Sequence, residues 1–236
     1  MLAINLNNKH AIYSLGKTGT TSLVDVLDDS WYATGEISPD FMCNLFPNDF
    51  SGHVNQLDAL KFLYNKQYKI TAIVRDPWKR YVSGVKEILQ DSLNVLVEDP
   101  IQTFFMDLPN DQLIAHLDRV YYLSEFMRQK DFPFDKHFVY PSDFALHHNY
   151  HIRNWLWEIN DFDNIEVIDS KELDAYIKIL GFQPKDHLNK SDPKFILKLE
   201  ECIKQTNIYF YIKKYLQSEI VQYNLLINNK KSEKNS

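Results

Sequence analysis

Apolar residues along the chain form two kinds of pattern, and each kind is typical of a different secondary structure. Short, nearly continuous apolar runs bounded by polar residues predict buried strands. These runs are His10–Leu15, Lys69–Val74, Phe138–Tyr140 and Ile165–Ile168. Longer stretches place apolar residues three or four positions apart, which predicts helices with one buried face. The first of these stretches begins after Gly19. The others are Val54–Asn65, Pro77–Leu89, Ile101–Leu108, Asp111–Leu123, Ser170–Leu180, residues 193 onward, and Asn207–Ile227.

The order of these elements predicts the fold class and the domain organisation. Strands that alternate with helices along a chain form parallel pairs, so we expect an α/β fold. The expected architecture is a single three-layer domain with a central parallel sheet flanked by helices. The chain of 236 residues has no internal repeat and no long linker, so one domain is expected over residues 1–227. The polar residues 228–236 are expected to form a flexible C-terminal tail.

Charge and composition exclude several classes of protein. The net charge of −6 argues against a general nucleic-acid binder, which needs a basic surface. No apolar run approaches the roughly 18–20 residues of a membrane span. The first residues also lack the pattern of a signal peptide, so we expect a soluble, cytoplasmic protein. Two cysteines, Cys43 and Cys202, are too few for a disulfide framework or a zinc site.

The first informative motif follows the first predicted strand and reads SLGKTGTTSL over Ser14–Leu23. Glycines, hydroxyl groups and free N–H groups at a helix start are typical of a loop that wraps around an anion. Lys17 adds a positive charge suited to phosphate. The nucleotide-binding P-loop, GxxxxGK[ST], is a different pattern, because Ala11 stands where it has its first glycine. A helix start near Thr20 is expected, since an earlier start would put Gly19 in the first helical turn.

The second motif directly follows the predicted strand Lys69–Val74 and reads RDPWKRYVS over Arg75–Ser83. Asp76 is expected to cap the next helix. An NTPase would need an aspartate at this strand end to hold magnesium, whereas this chain has Arg75 there. Arg75 and Ser83 are expected to reach a second phosphate, with Arg80 on the same helix face as Ser83. Two separate anion sites predict a ligand that carries phosphates at two ends.

Together the two motifs resemble those of the sulfotransferases that use PAPS, 3′-phosphoadenosine 5′-phosphosulfate. The segment Lys17–Ser22 resembles the 5′-phosphosulfate loop of that family, although Gly16 stands where the family usually has proline. The segment Arg75–Ser83 resembles its 3′-phosphate motif. Within the family, the chain is most similar to the carbohydrate sulfotransferases, particularly the uronyl and heparan 2-O type. The resemblance covers about residues 10–195 and implies a P-loop-like α/β fold that binds PAPS.

Three further segments, each less specific alone, resemble the same branch of the family. Gly52-His53-Val54 resembles the segment that carries the catalytic histidine of the 2-O type. His137–Pro141 resembles a His-aromatic-x-x-Pro segment, and His187–Ser191 resembles an H-x-N-x-S loop.

The resemblance implies transfer of the sulfuryl group from PAPS to an acceptor hydroxyl, which gives PAP and a sulfate ester. It implies a cosubstrate site made of Lys17, Thr18, Gly19, Thr20, Thr21, Ser22, Arg75, Ser83, Lys190 and Ser191. Lys17 is also implied in catalysis, because it would stabilise charge on the leaving phosphate. His53 is the expected base, since the usual pKa of histidine near 6.5 suits proton abstraction; Glu36 and Asp58 are alternatives. No metal is expected, and the acceptor is expected to be a glycan or a small hydroxylated molecule.

Two other functions stay open at this point. The first is a P-loop NTPase or kinase, against which Ala11, Gly19 and Arg75 all count. The second is a protein of the same fold that binds PAP without turnover. An NTPase should bind ATP with magnesium tightly and PAP not, whereas a sulfotransferase should bind PAP. The non-catalytic alternative should bind PAP but show no turnover of PAPS.

Overall fold

The structure is a computed structural model that describes residues 1–14, 20–34, 39–50, 56–92, 105–129, 162, 165–185 and 192–233. Its strands are β1 (Leu2–Asn5), β2 (His10–Ser14), β3 (Trp31–Thr34), β4 (Lys69–Val74) and β5 (Glu166–Asp169). Its α-helices are α1 (Thr20–Val24), α2 (Pro39–Leu45), α3 (Gln56–Asn65), α4 (Pro77–Ser92), α5 (Asn110–Gln129), α6 (Leu173–Ile179), α7 (Pro193–Gln205) and α8 (Tyr209–Glu233). One turn of 3₁₀-helix, Ser170–Glu172, separates β5 from α6. The α/β class is confirmed; the predicted strand at Phe138–Tyr140 lies outside the described residues.

The five strands form one mixed sheet in the order β3-β1-β2-β4-β5. β2, β4 and β5 pair in parallel, as the alternation of strands and helices predicts. β1 pairs antiparallel with both β2 and β3, so the sheet is mixed rather than parallel throughout. The physical reason is the turn at Leu6–Lys9 between β1 and β2, which is too short for the crossover that parallel strands need.

Two compact units make up the chain, and the first contains the whole sheet. It is built from residues within 1–75, 154–188 and 221–236. Successive strand residues face two separate cores, as the two-residue period of a strand requires. One core, to which α1 and α6 contribute, includes Ile12, Leu23, Ile73, Ile168 and Ile177. The other, to which α2, α3 and the end of α8 contribute, includes Tyr13, Met42, Leu60, Ala72, Val74 and Tyr223.

The second unit is helical in its described part. It is built from residues within 76–153 and 189–220, which include α4, α5, α7 and the first part of α8. Its core includes Tyr81, Val85, Leu89, Leu113, Leu117, Phe195, Leu199, Ile203, Ile212 and Leu216. These side chains recur three or four residues apart on each helix, as the apolar pattern predicts. A single domain over residues 1–227 stays a prediction.

Helix α8 begins at Tyr209 and ends at Glu233. The sequence pattern predicts an end at Ile227, so residues 228–233 of the predicted tail belong to the helix. Within the described part of the chain, no helix combines the length and the apolar character needed to cross a membrane.

Aspartate side chains cap three of the helical segments at their first turns. The side chain of Asp76 accepts a hydrogen bond from the backbone N–H of Lys79 at 2.9 Å, which confirms the predicted cap of α4. Asp192 caps α7 in the same way. The sequence pattern predicts Ser170 as the cap after β5, but the cap is Asp169, whose Oδ1 accepts from the N–H of Lys171. An ionised carboxylate is a stronger acceptor than a hydroxyl, so Asp169 takes this position.

Helices α3 and α6 end in the same backbone motif. After α6, Gly181 has a φ of 90°, and the N–H of Phe182 bonds the carbonyl of Ile177, as in a Schellman cap. After α3, Gln67 has a φ of 61°, and the N–H of Tyr68 bonds the carbonyl of Leu63. Glycine adopts this left-handed conformation without strain, whereas the Cβ of glutamine clashes with the backbone and makes it strained.

Candidate functional site

The carboxyl ends of the three parallel strands lie at one edge of the sheet, which we call the carboxyl edge. Ser14 of β2 pairs in register with Ile73 of β4, and Val74 of β4 pairs with Asp169 of β5. The segment after Ser14 and the segment after Val74 are the two sequence motifs. Since ligands of α/β proteins bind at the carboxyl ends of parallel strands, both motifs begin where a ligand is expected.

The first motif is described only from Thr20 onward. Helix α1 begins at Thr20, as the position of Gly19 predicts. Ser22 is half-buried, and Leu23 is fully buried against the sheet, which fixes the helix close to the end of β2. Residues 15–19 lie outside the described residues, as do the side chains of Thr20 and Thr21. The roles of Lys17, Thr18, Gly19, Thr20 and Thr21 stay predictions.

Arg75 begins the second motif and is half-buried, directly after the buried β4. Asp76 uses Oδ1 for the helix cap, and the N–H of Arg80 also bonds its carbonyl oxygen at 2.9 Å. This arrangement ends the strand and starts α4 within two residues. Ser83, half-buried on α4, belongs to the second compact unit.

Arg80 is not at the surface, contrary to the expectation that it belongs to the anion site. Its side chain is 1% exposed, and Nη2 lies 3.8 Å from Oε2 of Glu219, which is itself 0% exposed. A guanidinium in this position is shielded from solvent and paired with a carboxylate of α8. We therefore remove Arg80 from the candidate site and assign it to the packing of α4 against α8.

The remaining predicted site residues differ in whether the structure describes them. His53, Glu36, Lys190 and Ser191 lie outside the described residues, so their roles stay predictions. Asp58, an alternative base, is exposed in the first turn of α3.

Asp169 is a charged residue at the carboxyl edge that the sequence pattern did not single out. It is 7% exposed, and Oδ2 accepts a hydrogen bond from the hydroxyl of Tyr223 at 2.5 Å. Oδ1 accepts from the N–H of Lys171 at 3.0 Å, and Lys171 Nζ lies 3.7 Å from Oδ2. Burial acts to raise the pKa of Asp169, but the hydrogen bonds from Tyr223 and Lys171 outweigh it and lower that pKa. The carboxylate is therefore ionised at neutral pH.

The amino ends of the same strands carry a second polar cluster, which we call the amino-edge cluster. It consists of His10, Thr71, Tyr176, Glu166 and Lys69. His10 Nε2 lies 3.0 Å from Thr71 Oγ1 and 3.3 Å from the hydroxyl oxygen of Tyr176. Thr71 Oγ1 lies 3.0 Å from Glu166 Oε2, and Lys69 Nζ lies 2.9 Å from the same oxygen. The cluster thus runs from a buried tyrosine to an exposed lysine.

Proton positions in this cluster follow from the charge of Glu166. Burial acts to raise the pKa of Glu166, but hydrogen bonds from Lys69 and Thr71 lower it, so the carboxylate is ionised and Thr71 donates to it. Because that hydroxyl proton is used, His10 Nε2 carries the proton and donates to Thr71 Oγ1. Burial and then the charge of Lys69 lower the pKa of His10 to about 4, so the imidazole is neutral at pH 7. Burial raises the pKa of Tyr176 to about 12.

Comparisons with protein-family models, with curated proteins and with solved structures found no match for the chain. Within the described residues, no group of three or more His, Cys, Asp or Glu side chains could hold a metal ion.

Proposed function

We propose that the protein is a PAPS-dependent sulfotransferase, which moves the sulfuryl group of PAPS to an acceptor hydroxyl. The observation that carries this proposal is the parallel register of β2 and β4. It aligns the end of the strand before the GKTGTTS segment with the end of the strand before Arg75. PAPS carries anionic groups at both ends of its ribose, and the two segments supply cations and hydroxyls from neighbouring strands.

Two further details favour this ligand over a nucleoside triphosphate. The helix after the first motif begins at Thr20, three residues after Lys17, whereas a P-loop helix begins at its Lys-Thr pair. The residue after β4 is a cation, Arg75, and the following Asp76 is engaged in the cap of α4. An NTPase would use a carboxylate at such a strand end to hold magnesium.

The finer architecture belongs to the same proposal. We take β2, β4 and β5, the three strands that pair in parallel, as the parallel part of a P-loop-like fold, with helices on both sides of the sheet and with one domain over residues 1–227. The branch of the family that the chain resembles acts on carbohydrates, so we propose a carbohydrate hydroxyl as the acceptor. A cytoplasmic location is part of the proposal.

The proposed reaction is an in-line displacement at sulfur. The acceptor oxygen forms the new S–O bond while the bond between sulfur and the 5′-phosphate oxygen breaks, and PAP leaves. His53 would take the proton of the acceptor hydroxyl, and Lys17 with Thr20, Thr21 and Ser22 would stabilise negative charge on the leaving phosphate.

The remaining proposed residues hold the cosubstrate in place. Arg75 and Ser83 would bind the 3′-phosphate without taking part in the chemistry. Lys190 and Ser191 would close over the cosubstrate together with Thr18 and Gly19. Positioning of this kind lowers the barrier because reacting groups are held at the right distance before the reaction begins.

The test is a pair of measurements on the full chain. PAP should raise the melting temperature more than ATP with magnesium, because a ligand of the native state at about 100 times its Kd adds about 2.7 kcal/mol. PAPS with a panel of carbohydrates and small hydroxylated acceptors should then give PAP and a sulfated product in equal amounts. Stabilisation by ATP but not PAP would favour the NTPase. Stabilisation by PAP without turnover on the panel would favour a non-catalytic PAP-binding protein.

His53→Ala tests the proposed base separately from binding. Its turnover should fall about 10²- to 10⁴-fold while its affinity for PAP stays unchanged, because the imidazole acts on the acceptor side. His148→Ala, which alters a histidine outside the motifs, is the control. Turnover close to wild type in the His53 variant would remove this residue from the mechanism.

A further inference from the structure

Lys86 is a buried lysine of the helical unit that no step of the proposed mechanism uses. It lies on α4, and its exposed fraction is 8%. Lysine side chains are almost never buried to this extent unless a negative group is near, because burial removes the water that solvates the charge. The position of Lys86 therefore favours an anion beside it.

The polar residues of α4 form a stripe that passes through Ser83. Lys79, Ser83 and Lys86 follow one another four and three residues apart, so they are neighbours along the helix surface. Apolar side chains of the same helix, among them Val85 and Leu89, pack into the core of the helical unit. Ser83 and Lys86 therefore share one flank of α4 beside that core.

The direction of helical side chains favours contact between Lys86 and an anion at Ser83. Every Cα–Cβ bond of an α-helix leans toward the helix N-terminus, so a long side chain covers the turn before its own. Residues three apart have their Cβ atoms about 5–6 Å from each other, a distance that a lysine stem can span. An anion held by the Ser83 hydroxyl is thus within reach of the Lys86 ammonium. Lys79 leans away from Ser83, and its side chain is exposed.

The charge of a phosphate group also calls for a further cation. A phosphate monoester carries about −1.5 to −2 charges at neutral pH. Arg80 is paired with Glu219, so Arg75 and Ser83 alone would offer one positive charge and one hydroxyl to this group. A second cation on the flank of Ser83 would balance the charge, and a buried cation acts more strongly because water and salt screen it less.

We propose that Lys86 is a further ligand of the proposed 3′-phosphate site, where its ammonium donates a hydrogen bond to the phosphate held by Ser83. This inference rests on the proposed function. It makes Lys86 a residue that distinguishes PAP from nucleotides without a 3′-phosphate.

Four variants separate the charge of Lys86 from its packing. Lys86→Gln and Lys86→Met both remove the charge; glutamine keeps a polar end, whereas methionine keeps an apolar stem suited to a buried position. Lys86→Arg keeps the positive charge. Lys79→Gln removes an exposed lysine of the same stripe and is the matched control.

The experiment is calorimetric titration of the full chain and of each variant with PAP and with AMP, which lacks the 3′-phosphate. The ratio of the PAP affinity to the AMP affinity should fall about tenfold in Lys86→Gln and in Lys86→Met, because a charge-assisted hydrogen bond to the phosphate is lost. Lys86→Arg should keep most of the ratio. Lys79→Gln should stay within about twofold of the wild type, because solvent screens an exposed charge.

The outcomes separate this inference from the proposed function. If the wild type prefers PAP over AMP and an uncharged Lys86 variant that folds keeps that preference, Lys86 belongs to the packing of α4; the inference is then wrong and the proposed function stands. An equal fall in Lys79→Gln, or loss of folding in both uncharged variants, would also overturn the inference. If the wild type shows no preference for PAP, the proposed 3′-phosphate site is wrong and the inference falls with it.

Discussion

The amino and carboxyl edges of the parallel strands differ in what lies there: a buried cluster of mutually contacting side chains at the amino edge, and the starts of the two sequence motifs at the carboxyl edge. At the amino edge, His10, Thr71 and Tyr176 are buried and contact one another. At the carboxyl edge, two motif segments begin, and Arg75 is half-buried. Buried polar groups that are satisfied within the protein stabilise and specify a fold. We therefore expect substitutions at the amino edge to change stability, and substitutions of motif residues at the carboxyl edge to change ligand affinity.

Arg80 belongs to the second motif yet is buried, so we expect changes around it to affect stability and not ligand affinity. Glu219→Gln would leave its guanidinium without the nearby carboxylate. We expect the free energy of unfolding to fall by about 3–5 kcal/mol in urea denaturation. Glu201→Gln, on the exposed side of α7, should change it by less than about 0.5 kcal/mol. Equal losses in the two variants would show that the buried pair does not stabilise the helices.

His10 makes the amino edge sensitive to pH. Its pKa is about 4 in the folded protein and 6.5 in the unfolded chain, so between these values the unfolded state binds more protons. The stabilisation is complete above pH 6.5 and is lost as the pH falls from 6.5 to 4. The full shift corresponds to about 3 kcal/mol, and we expect about 2 kcal/mol after screening through the exposed Lys69 and Glu166.

His10→Gln is the variant that checks this pH dependence, since glutamine can donate from a similar position and does not titrate. Urea denaturation at several pH values should give a smaller loss of stability between pH 6.5 and 4 in the variant than in the wild type. PAP affinity at neutral pH should be the same in both. An identical pH dependence of stability would contradict the assignment of a neutral, buried His10.

Gln67 gives the smallest expected effect, at the turn that leads into the amino end of β4. Gln67→Gly should raise the free energy of unfolding by about 0.5–1 kcal/mol, because glycine relieves the strain of the left-handed conformation. Gly181→Ala is the opposite change in the same motif, with open space around the added Cβ, and should lower stability by about 1 kcal/mol. The same sign of change in both variants would contradict the backbone explanation.

Local patterns predicted most of the elements around the carboxyl edge. The bounds of β4 agree with the apolar run at Lys69–Val74, and α4 begins at Pro77 after its Asp76 cap. The bounds of β4 and the start of α4 both depend on residues that are close in sequence, so the sequence alone is enough to predict them. β1 and β3 are four residues each, and their pairing depends on contacts across the sheet, which no local pattern shows.

The residues of the candidate site could likewise be predicted only where residues close in sequence determine their position. The position of Arg75 at a strand end follows from the sequence, because it is the residue after a clear apolar run. The burial of Arg80 does not, because its partner Glu219 lies on a distant helix. The burial of Asp169 does not follow from the sequence either, because its partner Tyr223 is 54 residues away, although an aspartate directly after an apolar run is a local signal for a residue at a strand end.

The proposed function requires Arg75, at the carboxyl edge, to bind the 3′-phosphate of PAP. Calorimetric titration of the wild type and Arg75→Ala with PAP and AMP tests it most directly, with Arg119→Ala, on the exposed surface of α5, as the control. A charged hydrogen bond contributes about 1.5–3 kcal/mol, so the wild type and the control should bind PAP at least about tenfold more tightly than AMP. Arg75→Ala should lose most of that preference while its melting temperature without ligand stays close to wild type. Equal affinities of the wild type for PAP and AMP, or an undiminished preference in Arg75→Ala, would contradict the account.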